Sequence, residues 1–203
     1  MIKAIVFDFD EMILIEGDYF SNYIIKKHNL SKEIKTFFTN EFPLCRTGIL
    51  DTKDALSPYL TRCGYINGYE DFMEEWRKFG TIDEDLFSII EATKKKGIIC
   101  VLATNNESYR MSYFIKKYNL KEHFDKLFLS YEIGFLKPQK EFLEKMLKEL
   151  SVPKEAILFC DDKQSFIDAA KEFGLKTHLY TNKEELKRTL EQESFSNKEK
   201  DNS

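Results

Sequence analysis

Ala4-Ile5-Val6-Phe7-Asp8-Phe9-Asp10 is the stretch that decides how the rest of the chain is read. Four apolar residues run without polar alternation, the pattern of a strand buried on both faces of a parallel sheet. The run stops at Asp8, too short for a secretory core segment. Period-two geometry places the Asp8 and Asp10 carboxylates on one side and Phe7 and Phe9 on the other. A lone D-x-D pair is equally two solvated acids at a strand end, so its meaning depends on the residues at the other strand ends.

Working outward, similar apolar runs recur at Ile98–Ala103, Leu127–Leu129, Ala156–Phe159 and Thr177–Tyr180. Between them lie helical stripes: Leu86, Ile89 and Ile90; Met111, Phe114, Ile115 and Tyr118; Phe142, Leu143, Met146, Leu147 and Leu150. Pro138 suits the first turn of the last of these helices, and Gly97 and Gly174 suit helix ends. Alternating β/α order predicts an α/β fold, a doubly wound, Rossmann-like parallel sheet formed by residues 1–14 and 81–193. Residues 15–80 break the alternation with short helical patterns and no strand. They read as a small α-helical cap inserted after the first strand, with Tyr69, Phe72 and Trp76 in its core. The polar tail 194–203 is expected to be disordered.

The chain has 203 residues, 42% hydrophobic and 33% charged, with formal net charge -4. This is a globular composition without the basic face of a nucleic-acid binder. No apolar run reaches the length of a membrane span. Cys45, Cys63, Cys100 and Cys160 form no C-x-x-C pair or zinc spacing and read as free thiols in a reducing compartment, so the expected location is the cytoplasm.

Three later features give the D-x-D pair its weight. Thr104-Asn105 follows the second apolar run, Lys137-Pro138 precedes a long helix, and Asp161-Asp162 follows the fourth run. In a doubly wound sheet, ligands bind where the carboxyl ends of the strands meet a switch in strand order. A phosphate monoester repels an approaching carboxylate. A hard cation held by oxygen ligands offsets that repulsion, a lysine adds positive charge, and a hydroxyl with a backbone N–H holds the non-bridging oxygens. This residue set supplies those parts.

At these residues the sequence resembles the haloacid dehalogenase-like hydrolases, in the branch with a helical cap after the first motif. Val6–Asp10, Leu102–Asn105, Gly134–Pro138 and Phe159–Asp162 are similar to that family's four motifs, in order. The resemblance implies an Mg²⁺-dependent phosphomonoester hydrolase acting on a small phosphorylated metabolite. In it, Asp8 would attack phosphorus, and Asp10 would protonate the leaving oxygen and then activate water. Thr104, Asn105 through its backbone N–H, and Lys137 would bind the phosphate. The metal would be held by Asp8, the Asp10 carbonyl and Asp162, with Asp161 a further ligand directly or through water. Asp10 argues against dehalogenation, because a halide leaves without a proton.

Three positions depart from the family pattern. Glu11 stands where glycine is frequent. Met12 stands where threonine or valine is frequent, and is expected to alter packing beneath Asp10. Phe166 stands where an asparagine or aspartate often supports the metal ligands, so metal affinity should be affected. Asn106 and Glu107 read as a helix start with capping roles. His28, His123 and His178 match no metal or nucleophile pattern. Arg46, on a cap loop, is either a solvated surface arginine or a reader of a second anionic group. A phosphomutase would use the same residues, while a non-catalytic phosphate-binding regulatory protein would fit Met12 and Phe166. A receiver domain would pair its acids on the first strand but has no helical insert.

Overall fold

The central apolar runs form strands covered on both faces, and the edge runs pair beside them. The computed structural model describes residues 1–195. β1 (Ala4–Phe7), β4 (Ile99–Thr104), β5 (Lys126–Leu129), β6 (Ile157–Asp161) and β7 (Lys176–Leu179) form one parallel sheet in the order β5-β4-β1-β6-β7, while β2 (Leu14–Ile15) and β3 (Thr81–Ile82) pair separately. Ile5, Phe7, Cys100, Leu102, Leu158 and Cys160 face one core, with Leu86, Ile90, Met111 and Phe114 from the Asp85–Lys94 and Ser108–Lys117 helices. The alternate residues Ala4, Val6, Val101, Ala103, Ile157 and Phe159 face the other, under Phe142, Leu143 and Met146 of the Lys140–Leu150 helix and Ile167 and Ala170 of the Gln164–Glu172 helix. Met12 is fully buried in the first core and fills it as an ordinary apolar side chain.

Residues 16–80 form a helical insert with its own apolar cluster. Its longer helices are Phe20–His28, Thr52–Cys63 and Gly68–Lys78. Phe20, Ile24, Phe37, Leu56, Phe72 and Trp76 are buried together, with the Phe20 and Trp76 rings stacked 5.5 Å apart.

Three details differ from expectation. Ile15 belongs to a strand: Leu14–Ile15 pairs antiparallel with Thr81–Ile82, so the chain enters and leaves the insert side by side. Pro138 is not in a helix. Leu136 and Gln139 close a turn around it, with Gln139 N donating to Leu136 O at 2.8 Å and Leu136 N to Gln139 Oε1 at 2.7 Å, and the helix starts at Lys140. The last helix, Lys183–Phe195, carries residues 194 and 195 of the expected tail; the rest of that tail lies outside the described residues.

Candidate active site

β1, β4 and β6 are adjacent, so their carboxyl ends deliver Asp8, Thr104 and Asp161 to one place. Asp8 N donates to Cys160 O at 3.1 Å, which extends the ladder one residue beyond β1 and fixes where the side chain leaves the sheet. Asp8 Oδ1 accepts from Phe9 N and from Lys137 Nζ, both at 2.7 Å. Its Oδ2 takes no hydrogen bond among the described residues. Lys137 Nζ also donates to Asp161 Oδ2 at 2.8 Å, and its side chain is only 1% exposed.

A buried ammonium is held here by two carboxylates, which leaves one negative charge in excess. Burial works against the charge on Lys137, but Asp8 and Asp161 outweigh it and raise its pKa. On Asp8 burial is the largest influence and pushes the carboxyl up to about 7; Lys137 opposes the rise, and Asp161 and Asp10 add to it. Asp162 is raised as well, chiefly by burial.

The loop bearing Lys137 is clamped by Asn105. Asn105 Nδ2 donates to Lys137 O at 2.8 Å, and Lys137 N donates to Asn105 Oδ1 at 2.7 Å. This side-chain role is additional to the one the motif implies. The Thr104 hydroxyl is buried without a hydrogen-bond partner among the described residues. A buried hydroxyl left unpaired is costly, and its position at a strand end suits an incoming oxygen ligand.

Oxygens of Asp8, Asp161 and Asp162 lie within 4.8 Å of one another, and Asp162 Oδ1 is buried without a partner. Three carboxylates held this close suit a hard divalent cation such as Mg²⁺. Asp161 is the most committed of the three, since its other oxygen accepts from Lys163 N at 3.0 Å. Phe166 sits beside the cluster, its ring centroid 5.8 Å from Lys137 Nζ, where an acid or amide would have offered another polar contact.

Asp10 stands apart from the three acids. Asn106 Nδ2 donates to its Oδ2 at 3.0 Å and Arg110 Nη1 to its Oδ1 at 3.2 Å. Arg110 also donates to Asn106 Oδ1 and to Glu16, and its guanidinium lies 5.2 Å from the Trp76 ring of the insert. Asn106 is therefore more than part of a helix start, and Arg110 was not singled out in the sequence. One signal existed: a cation in the first turn of a helix opposes the helix dipole and needs an acid nearby. Glu107 does cap that helix, accepting from Tyr109 N at 2.9 Å and Arg110 N at 2.5 Å, and Thr52 Oγ1 of the insert donates to it at 2.9 Å.

A cavity of about 460 Å³ lies between sheet and insert, lined by Asp10, Arg46, Trp76, Asn105, Arg110 and Asp162 among others. The histidines lie elsewhere in structural contacts: His28 pairs with Glu75, His123 stacks on Phe87, and His178 meets Thr189. All four cysteines are free and buried. Among the described residues no helix is long and apolar enough to cross a membrane.

The profile of the haloacid dehalogenase-like hydrolases matches residues 5–180. A D-ribitol-5-phosphate phosphatase of Bacteroides thetaiotaomicron is 29% identical over 187 residues, 87% of this chain and 91% of that protein. A drimenol cyclase of Aspergillus calidoustus is 36% identical over 67 residues, and the chain spans only 13% of that protein's length. Among solved structures, a mutant of the B. thetaiotaomicron enzyme bt-2542, in complex with magnesium and inorganic phosphate, superposes with a TM-score of 0.78. It is 16% identical and covers 89% of this chain and 95% of its own.

Proposed function

The chain belongs to the haloacid dehalogenase-like hydrolases, and from that membership we propose that it is an Mg²⁺-dependent phosphomonoester hydrolase using Asp8 as its nucleophile. The observation that carries this reading is the Lys137 ammonium held at 2.7 Å from Asp8, beside acids whose oxygens lie within 4.8 Å of the Asp8 carboxylate. Charge neutralisation and positioning are what phosphoryl transfer chiefly requires.

Asp8, Asp162, Asp161 and the Asp10 carbonyl would hold the cation, which when bound neutralises charge between the nucleophile and the phosphate. Asp8 attacks phosphorus through its unbonded oxygen, forming an aspartyl phosphate as the ester oxygen leaves. The Thr104 hydroxyl and Lys137 hold the non-bridging oxygens. Asp10, fixed by Asn106 and Arg110, gives a proton to the leaving alkoxide. It then takes one from the water that attacks phosphorus, releasing phosphate and restoring Asp8. The helical insert acts as a cap that excludes water and lines the leaving-group side of the cavity. The relative's named substrate supports a small phosphorylated metabolite as the class.

Phosphate release from a panel of phosphorylated metabolites with Mg²⁺ tests the reading. Asp8→Asn should fold normally and lose release by at least ~10³-fold, the scale of losing a covalent catalyst. Full activity in that variant would remove the mechanism.

A further inference from the structure

We infer that the substrate carries a second anionic group, a carboxylate or second phosphate, and that Arg46 binds it. This deepens the phosphatase reading and rests on it. Arg46 lines the same cavity as Asp10 and Asp162. Its Nε is buried with no acceptor, and it forms no ion pair among the described residues. Burial lowers its pKa, and the nearby Asp10 charge offsets that cost only in part. The Phe42 ring, 5.1 Å from the guanidinium, offsets only part of that cost.

The acids facing the cavity do not supply the missing partner. Both Asp10 oxygens are taken, by Asn106 and Arg110. Glu16 is bonded to Arg110, and Glu11 accepts from the backbone N–H groups of residues 16 and 17. Asp18 accepts from Tyr19 N and Asn22 Nδ2, and Asp162 belongs to the cation cluster. Of the three cations lining the cavity, Arg110 is shared between two carboxylates. Arg46 and the exposed Lys163 form no ion pair among the described residues.

Arg46 is also fixed in place. Ser130 Oγ, from the core, donates to its carbonyl at 2.6 Å, and two residues later the backbone of Gly48 packs against Tyr131 O. These contacts fix the backbone from which the guanidinium enters the cavity beside Phe42, and a guanidinium offers paired hydrogen bonds to a planar or tetrahedral oxyanion. D-ribitol 5-phosphate, named for the relative, offers only hydroxyls beyond its phosphate, so this feature points to a different substrate class.

The test is binding without turnover. Alkylphosphonates with two to four carbons between phosphorus and a terminal carboxylate, second phosphonate or hydroxyl are titrated calorimetrically into the full-length chain at fixed free Mg²⁺. The same titrations are run on Arg46→Met and Arg46→Lys, with melting curves to check folding. The best anion-ended member should bind roughly tenfold or more tighter than its hydroxyl-ended match. Arg46→Met should bring that ratio near one, and Arg46→Lys should keep part of it. The carboxylate and phosphonate arms show which anion the site takes. A ratio near one in the unmodified protein, or one that survives in folded Arg46→Met, overturns the inference; if Arg46→Met does not fold, the unmodified protein and Arg46→Lys decide it. Phosphonates are not hydrolysed, so loss of the anion preference and loss of phosphate release are read by separate experiments, and a failure of one is told apart from a failure of the other.

Discussion

Glu11 shows how a single residue is held where its backbone resists it. Its φ is 57°, in the left-handed region that costs a non-glycine residue about 1–2 kcal/mol. Two features compensate: Glu11 N donates to Leu14 O at 2.7 Å, and Glu11 Oε1 accepts from Glu16 N and Gly17 N. The frequency of glycine at this position in the family thus has a conformational reason, and glutamate replaces freedom with bonds. Glu16 itself is pushed up to about 7 by burial, against the pull of Arg110. Its folded pKa lies above the unfolded value of 4.5, so folding favours the protonated form. The resulting destabilisation is absent below pH 4.5, develops as pH rises toward 7, and is complete above it. Glu16→Gln should therefore gain stability relative to the unmodified chain across that window, by about 3 kcal/mol at most, read from urea melts at pH 4.5 and 8. No relative gain would mean that the site keeps Glu16 ionised at no cost. At this scale the meeting of Asp8, Thr104 and Asp161 was legible because strand ends are readable from apolar runs, whereas Lys137 reaches them from the loop before the Lys140–Leu150 helix. The Arg110 contacts to Asp10 and Glu16 join residues about a hundred positions apart, a separation no local pattern encodes.

Elements were legible in proportion to their length. The three central strands β1, β4 and β6 are apolar runs buried on both faces, as that pattern predicts, whereas the edge strands β5 and β7 carry Lys126 and Lys176-Thr177-His178 and are only partly buried. The two-residue strands at Leu14–Ile15 and Thr81–Ile82 are too short to show a period, and the turn around Pro138 depends on a side-chain acceptor three residues from the donor. The Ser108–Lys117 helix is the element on which the most converges. Glu107 caps it, anchors Thr52 of the insert, and directs the first turn from which Arg110 reaches Asp10. Glu107→Ala removes the cap and strands a buried hydroxyl, and should cost roughly 2 kcal/mol in chemical denaturation. Glu107→Gln keeps an acceptor and should cost less. Equal stability of all three proteins would show that the cap bonds have no net worth.

Across the whole molecule, sheet and insert meet through a few specific contacts: Ser130 with Arg46, Thr52 with Glu107, and Tyr109 with Asp51 at 2.8 Å. A close backbone approach lies at Gly48, where an added Cβ would lie 2.4 Å from Tyr131 O with φ at +71°. Gly48→Ala should pry the insert away, lowering the melting temperature by several degrees and speeding proteolysis within residues 16–80. Unchanged melting and cleavage would show that this approach does not hold the two parts together. The alternating core was readable from composition and order, but the docking of the insert was not, since it rests on side-chain bonds and one close backbone approach between residues far apart in the chain. The antiparallel pairing of Leu14–Ile15 with Thr81–Ile82 carries a further consequence. Both ends of the interruption leave the sheet as neighbours one ladder spacing apart, about 5 Å. Exchanging everything between them for another lobe leaves the strand ends that carry Asp8, Thr104 and Asp161 in place, so the lobe can diverge while the sheet stays as it is.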